Sequence, residues 1–351
     1  MYGAPYGDDR PIERDLAGTP LAGGLFAVIY SLKGDLDYFA KCLKLRHYNR
    51  NEMCDFCCCT RVGPRGMLYN NFAPDCMWKT MGFDELTWRA NYIGKFLHWL
   101  FNLPGVCHYM LEPDELHVIH LGCMQYCIGS VLWLLCYIIM LDEPESNMHA
   151  CWLIICEYYR TFGSKCQYTN LGLESFLKDK KQPKKHFPCL KGKGAECRDL
   201  LPAVHSVWLQ CAKRYHDYEL IEAMLKSMVV VQDHLHDHAS DMFLPLDVCR
   251  DIMKHVDNFL VKYQECAFKA QEAGDLLFNN PSKFHWLWHW SRRVSYLNPR
   301  QTNCYLDEDY VGKLKILLAS CSAGSDVVLI TTKALEKYRW ALHFACIVCK
   351  A

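Results

Sequence analysis

Six groups of residues carry types and spacings that could do chemistry. Asp35 directly follows an apolar run and precedes a helical pattern. A carboxylate at the end of a buried strand is where metal-dependent nucleases hold divalent ions, and it is equally a helix N-cap. Asp37 is its rival in either role. The second group is Cys54-Asp-Phe-Cys57-Cys58-Cys59. A Cys-x-x-Cys pair offers two thiolates to a tetrahedral zinc, with His47, Cys76, Cys107 and His108 as candidates for the other positions and plain thiols as the alternative. The third is Asp114-Glu-Leu-His117-Val-Ile-His120, whose histidines share a helical face and suit a metal, a phosphate or a hydrogen bond at a helix start.

The fourth group, Phe284-His285-Trp-Leu-Trp-His289-Trp290, places two histidines at i, i+4. It lacks the glutamate of a zinc-protease helix and reads as an aromatic packing helix. The fifth is Asp307-Glu308-Asp309, acids that a helix dipole favours at its start. On a helical projection Asp307 follows the apolar face of Val311, Leu314 and Leu318, Glu308 flanks it and Asp309 points away. The sixth is a basic stretch containing Lys178, Lys180, Lys181, Lys184, Lys185, Lys191 and Lys193, suited to phosphate contacts or to a solvated loop.

The elements that must hold these groups are mostly helical. Leu25 to Lys33 has the apolar, β-branched and aromatic character of a strand, broken by Gly34-Asp35 and followed by a helix from Leu36 to Leu45. Residues 50–80 are irregular. The helical period then predicts helices over 84–102, 114–141, 146–162, 200–215, 218–235, 245–272, 282–297, 308–321 and 331–348, with a short last strand at Val327–Ile330. The expected organisation is a flexible leader over 1–22, a strand-helix unit with the Cys-rich region over 23–80, helices over 81–280, and C-terminal helices with an acidic start over 281–351. The fold class expected is mainly α with a small α/β part.

Composition bounds the function. Apolar residues make up 51% and charged residues 22% of 351, which excludes a disordered chain, a collagen and a pure coiled coil. Basic and acidic residues balance at 39 each, so a uniformly basic nucleic-acid coat is excluded while a local basic face is not. The polar start shows no cleavable signal, and many of the 22 cysteines lie inside apolar stretches. The expectation is a reduced nuclear or cytoplasmic protein that is not secreted. Leu121 to Leu141 is uncharged and long enough to span a bilayer. It contains Gly122, Gln125, Gly129 and Ser130 and lacks basic anchors, so a buried central helix is expected there instead.

Taken in order, the segments Gly34-Asp35-Leu36, Cys54-x-x-Cys57, Asp114-x-x-His117 with Leu121-Gly122, His285-x-x-x-His289, and Glu308 with Gly312-x-Leu314-Lys315 resemble the second half of the catalytic region of a CACTA (En/Spm)-type DDE transposase. The resemblance implies an RNase H-like core interrupted by a helical insertion before the last acid. It makes Asp35 the second catalytic acid and Glu308 the third, holding Mg²⁺ or Mn²⁺, and makes Cys54 and Cys57 zinc ligands. The Gly-x-Leu-Lys register favours Glu308, whereas the helical face gives Asp307 a claim. The family's first aspartate lies on an upstream strand, and Asp8, Asp9 and Asp15 sit here among Gly and Pro without a strand pattern. The implied function is therefore a transposase-derived remnant without strand-transfer activity, binding DNA weakly and non-specifically through Lys180, Lys181, Lys184 and Lys185. A helical, zinc-stabilised module for DNA or protein partners is the alternative, and a membrane-associated helical protein the third.

Overall fold

The computed structural model describes residues 29–321 and 326–348. The leader, with Asp8, Asp9 and Asp15, and the first half of the expected strand lie outside the described residues. The chain is mainly helical with one small parallel sheet. Strand β1 (Leu32–Gly34) pairs in parallel with β2 (Leu111–Pro113) in the register Leu32↔Leu111 and Gly34↔Pro113. Each strand therefore ends beside the other and is followed at once by an aspartate, Asp35 or Asp114. Asp35 caps helix α1 (Leu36–Lys41) by accepting from the Tyr38 amide at 2.6 Å, and Phe39 anchors that helix in the core.

Helix α2 (Glu85–Ala90) is far shorter than the expected 84–102. The chain leaves it through Gly94 at φ 73°, a left-handed conformation that costs a side-chain-bearing residue more than glycine. After β2 comes the long helix α3 (Leu116–Ile139), with wider π-type turns at both ends and a kink at Leu121. It is long and apolar enough to cross a membrane by length and composition, yet 72% of its most apolar window is buried inside the protein. Helices α4 (Pro144–Phe162), α5 (Gly194–Cys211) and α8 (Lys283–Arg293) cover it. Gly129 lets the chain at 188–190 pass close by, so that the Leu190 amide donates to Gln125 O at 2.9 Å.

Helices α6 (Tyr218–Asp237) and α7 (Leu246–Glu272) form the most extensive helix pair. Along α7, Cys249, Ile252, Val256, Phe259, Leu260, Tyr263 and Cys266 are buried at the i, i+3, i+4 spacing that its sequence shows. A short helix α9 (Pro299–Thr302) leads into α10 (Tyr305–Ala319) and α11 (Val327–Val348). Val327–Ile330, expected as a last strand, opens α11 instead. With no strand beside them among the described residues, these four β-branched or apolar residues follow the local helical hydrogen bonding. One continuous apolar cluster runs from Phe39 to Val294, whereas α10 buries none of its own residues.

Candidate metal centre and acid cleft

Helix α8 organises both sites. Its first residue, Lys283, reaches one cleft; His285 and His289 project from its middle; Arg293 closes its end. Arg293 holds Glu112 of β2 in a two-pronged pair, Nη2 to Oε1 at 2.8 Å and Nε to Oε2 at 3.1 Å, and also donates to Tyr109 O. Burial raises the Glu112 carboxyl above its ordinary range, against the pull of Arg293. The pair ties α8 to the sheet.

The other half of the centre is the chain around Cys54, which has almost no regular structure. Short bridges fix it: the Phe83 amide donates to Phe56 O at 2.8 Å and the Thr60 amide to Met67 O at 2.8 Å. The buried Asp55 carboxylate accepts from Tyr92 Oη at 2.5 Å, Trp88 Nε1 at 3.2 Å and the Arg46 amide at 3.2 Å. Its own desolvation outweighs these bonds and lifts its pKa to about 6. This turn presents Cys54 and Cys57 to α8, and the Phe56 amide donates to Cys54 Sγ at 3.3 Å.

Cys54, Cys57, His285 and His289 are all buried, and their ligand atoms lie within 4.8 Å of one another. Cys54 Sγ is 3.4 Å from His289 Nε2, Cys57 Sγ is 3.4 Å from His285 Nε2, and the two Nε2 atoms are 3.1 Å apart. A zinc with bonds of ~2.3 Å to sulfur and ~2.0 Å to nitrogen sets tetrahedral donors roughly 3.3–3.8 Å apart, so the cage is close to the size the ion needs. Burial opposes a thiolate at Cys54, but hydrogen bonds from Cys57 and Cys59 and the two imidazoles outweigh it and hold this thiol well below its usual range. Burial in turn pushes Cys57 up and keeps His289 low, hence neutral, as a ligand must be. Cys59 Sγ lies 3.3 Å from His285 Nε2 as a further buried sulfur beside the four. These residues are competent to hold a metal ion such as zinc.

Helix α8 packs as the aromatic helix expected, and the same segment also turns His285 and His289 toward two cysteines as donors that could hold a metal. Trp78 lies 4.5 Å from the His285 ring and Phe56 5.1 Å from that of His289, walling the donors from water. Of the other candidate ligands, Cys107 lies outside this group and three have partners elsewhere. Cys76 Sγ donates to Asn71 O, His108 Nε2 meets Phe83 O, and His47 stacks on Tyr48. The i, i+4 histidines were the available signal for the missing half, but nothing local ties them to cysteines 228 residues away.

A second group of charged residues surrounds His117, with Asp35 and Glu308 both acting on its imidazole. Asp114, with a fully buried side chain, accepts from the Cys304 amide at 2.7 Å, the His117 amide at 3.0 Å and His117 Nδ1 at 2.5 Å. The opposite nitrogen, His117 Nε2, faces Glu308 Oε1 at 3.3 Å. Burial lowers the His117 pKa, but Asp114, with Asp35 and Glu308 nearby, more than reverses this and raises it. Asp307 instead pairs with Lys33 at 2.6 Å, and Asp309 with Lys313 at 2.6 Å. Asp35, Asp37, Tyr48, Arg61, His117 and Lys283 share one cleft of about 410 Å³. Among the described residues, the four Cys and His side chains are the one group with donors gathered tightly enough for a metal; these carboxylates are arranged around an imidazole.

Comparison with protein-family models, with curated proteins and with solved structures found no match. The geometry therefore carries the functional argument alone. In the basic stretch, Lys180 pairs with Glu174 at 2.6 Å and Lys184 with Asp275 at 2.9 Å, while Lys181 and Lys185 have no ion pair among the described residues. Lys191 Nζ is turned inward onto Glu174 O and Leu177 O.

Proposed function

We propose that the protein is a DDE transposase-derived phosphodiester enzyme whose acids are Asp35, Asp114 and Glu308. One observation carries this reading: the parallel register of β1 and β2 sets two aspartates at neighbouring strand ends, with Glu308 facing the second of them, Asp114, across His117. Asp114 fills the role for which the sequence offered no candidate, and Asp35 then stands as the first acid rather than the second. A parallel strand pair whose carboxyl ends carry the acids agrees with an RNase H-like core, and the helices between α3 and α8 take the place of the insertion. The Glu308–His117 contact favours Glu308 over Asp307, which Lys33 occupies.

Mg²⁺ or Mn²⁺ bound here would supply charge for the attacking and leaving oxygens of a phosphodiester. Asp35, Asp114 and Glu308 would hold the ions once His117 swings off Asp114 Oδ2. Arg61 and Lys283 on the same cleft draw the phosphate in. Burial lowers the Lys283 pKa, and its ammonium donates to Leu121 O at 2.6 Å, which aims it along the cleft wall.

The test is nicking of supercoiled plasmid with Mn²⁺. Asp35→Asn, Asp114→Asn and Glu308→Gln should each abolish it, and Asp307→Asn should keep it. Nicking that survives Asp114→Asn would refute the assignment. A folded, metal-loaded protein that never nicks DNA would leave the second reading, a zinc-stabilised helical binding module, which the Cys54/Cys57/His285/His289 cage supports.

A further inference from the structure

Beside the acid cleft lies a larger groove of about 1020 Å³, between the chain at 63–71, the end of α7 and the turn at 274–280. Aromatic side chains wall it: Tyr69, Phe187 and Phe268 line it, and the last two are 38% and 48% exposed. Six amide side chains and several aliphatic ones line the rest. The side chains of Asn70 and Gln271 make no hydrogen bond among the described residues, and Asn280 Oδ1 is buried without a partner. The Arg65 guanidinium at the rim likewise has no ion pair or hydrogen bond among them. The single acid of the lining, Asp275, is neutralised by Lys184.

Each of these features suits one chemical class. A primary amide presents a donor and an acceptor side by side, as a base edge does. Aromatic faces stack any base, and a free guanidinium meets its phosphate. The volume matches a site for one or two nucleotides. A buried carbonyl oxygen without a donor costs free energy unless a ligand N–H reaches it, so Asn280 itself calls for a partner.

The groove is also joined to the cleft. Arg61 belongs to the cleft and Gly63 and Arg65 to the groove, while Pro281–Lys283 line the first and Asn279 and Asn280 the second. Two short chain segments thus form a common wall between them. We propose that the groove receives an unpaired base of the same DNA strand whose phosphodiester lies in the acid cleft, with Phe268 as stacking platform, Asn280 on the base edge and Arg65 on the adjoining phosphate. The proposal rests on the reading of the cleft as a phosphodiester site. It makes single-stranded or unstacked DNA, rather than continuous duplex, the preferred ligand.

The experiment measures binding of a short single strand carrying a fluorescent purine analogue, and of its blunt duplex, to the full chain without divalent ions. Tighter binding of the single strand with quenching of the analogue is expected. Phe268→Ala should weaken it about tenfold, the effect of losing one base stack, and Asn280→Leu should reduce the quenching. Both side chains sit at the groove, and an unchanged melting temperature for Phe268→Ala confirms that folding is intact. Asp309→Asn, at a residue that lines neither the cleft nor the groove, should leave binding and quenching as they are. Equal affinity for single strand and duplex, or an intact Phe268→Ala, would overturn the proposal. Quenching in a protein that never cuts DNA supports the groove and sinks the cleavage reading instead.

Discussion

Substituting His289 should release the metal and loosen the whole molecule, because the cage fastens residues 54–57 to α8 across the length of the fold. The Cys57–His285 link closes 228 residues. Treated as a cross-link, a loop of that length restricts the unfolded chain by about 5 kcal/mol. With an unfolding entropy of ~2.1 cal/mol/K per residue over 351 residues, that loss lowers the melting temperature by about 7 °C. Elemental analysis of protein purified under reducing conditions should find one zinc per chain, because a donor set of two thiolates and two imidazoles suits that ion. Cys54→Ser, Cys57→Ser, His285→Ala and His289→Ala should each lose it and melt together, as should wild type with a strong chelator. The double variant Cys54→Ser/His289→Ala should be no less stable than either single one, since the shared link is already gone. Cys76→Ser, buried outside the cage, should keep its zinc. Protein without metal whose melting temperature ignores chelator, or single losses that add in the double variant, would refute the argument.

Two further outcomes follow from buried contacts. Gly129→Ala would set a Cβ 3.0 Å from Pro188 C and 3.1 Å from Cys189 N, both backbone atoms, so α3 and the 188–190 segment must part. Chemical denaturation should show a loss of about 1–3 kcal/mol, and an unchanged midpoint would mean that the segment yields freely. His120 is fully buried between Tyr305 Oη at 2.7 Å from Nδ1 and Gln232 Nε2 at 3.4 Å from Nε2, with Glu115 Oε1 at 3.9 Å. Burial first, then the charges of Arg198 and Arg300, hold its pKa well below the ordinary value. The unfolded chain takes up the proton near pH ~6.5 and the folded one only below that. The stabilisation is therefore complete above about pH 6.5 and is lost as the pH falls through it, by up to about 1.4 kcal/mol per unit. His120→Gln should remove that part of the slope in urea titrations; parallel slopes for variant and wild type would dismiss it.

Much of the helical body was legible because its period is long. Along the 27-residue α7 the buried residues recur from Cys249 to Ala270, and no short-range effect imitates that. Brief elements were not. Strand β2 is Leu-Glu-Pro, three residues that owe their conformation to β1 seventy-seven positions earlier rather than to any pattern of their own. Helix α5 begins at Gly194, before the expected 200, and carries Pro202 in its interior because packing of Cys197, Leu200 and Leu201 against α3 outweighs the lost hydrogen bond. Of the metal cage, Cys54 and Cys57 could be read from their spacing, whereas His285 and His289 sat among aromatics that explain a helix just as well. Asp114 could be seen as a helix-start acid, but its place beside Asp35 depends on strand pairing, which spacing does not encode.

The long reach between the two halves of the cage also imposes an order in time. A ribosome adding about 5–20 residues per second needs roughly 10–50 s to travel from Cys57 to His289. Throughout that interval the cysteines at 54, 57 and 59 have emerged without the imidazoles that later enclose them. They are then ordinary accessible thiols, open to oxidation or to capture of a metal in the wrong geometry. A metal held by these four residues would therefore be a late fastener that closes only after α8 has been made, and polypeptides cut short before α8 would keep reactive sulfur without the second pair of donors.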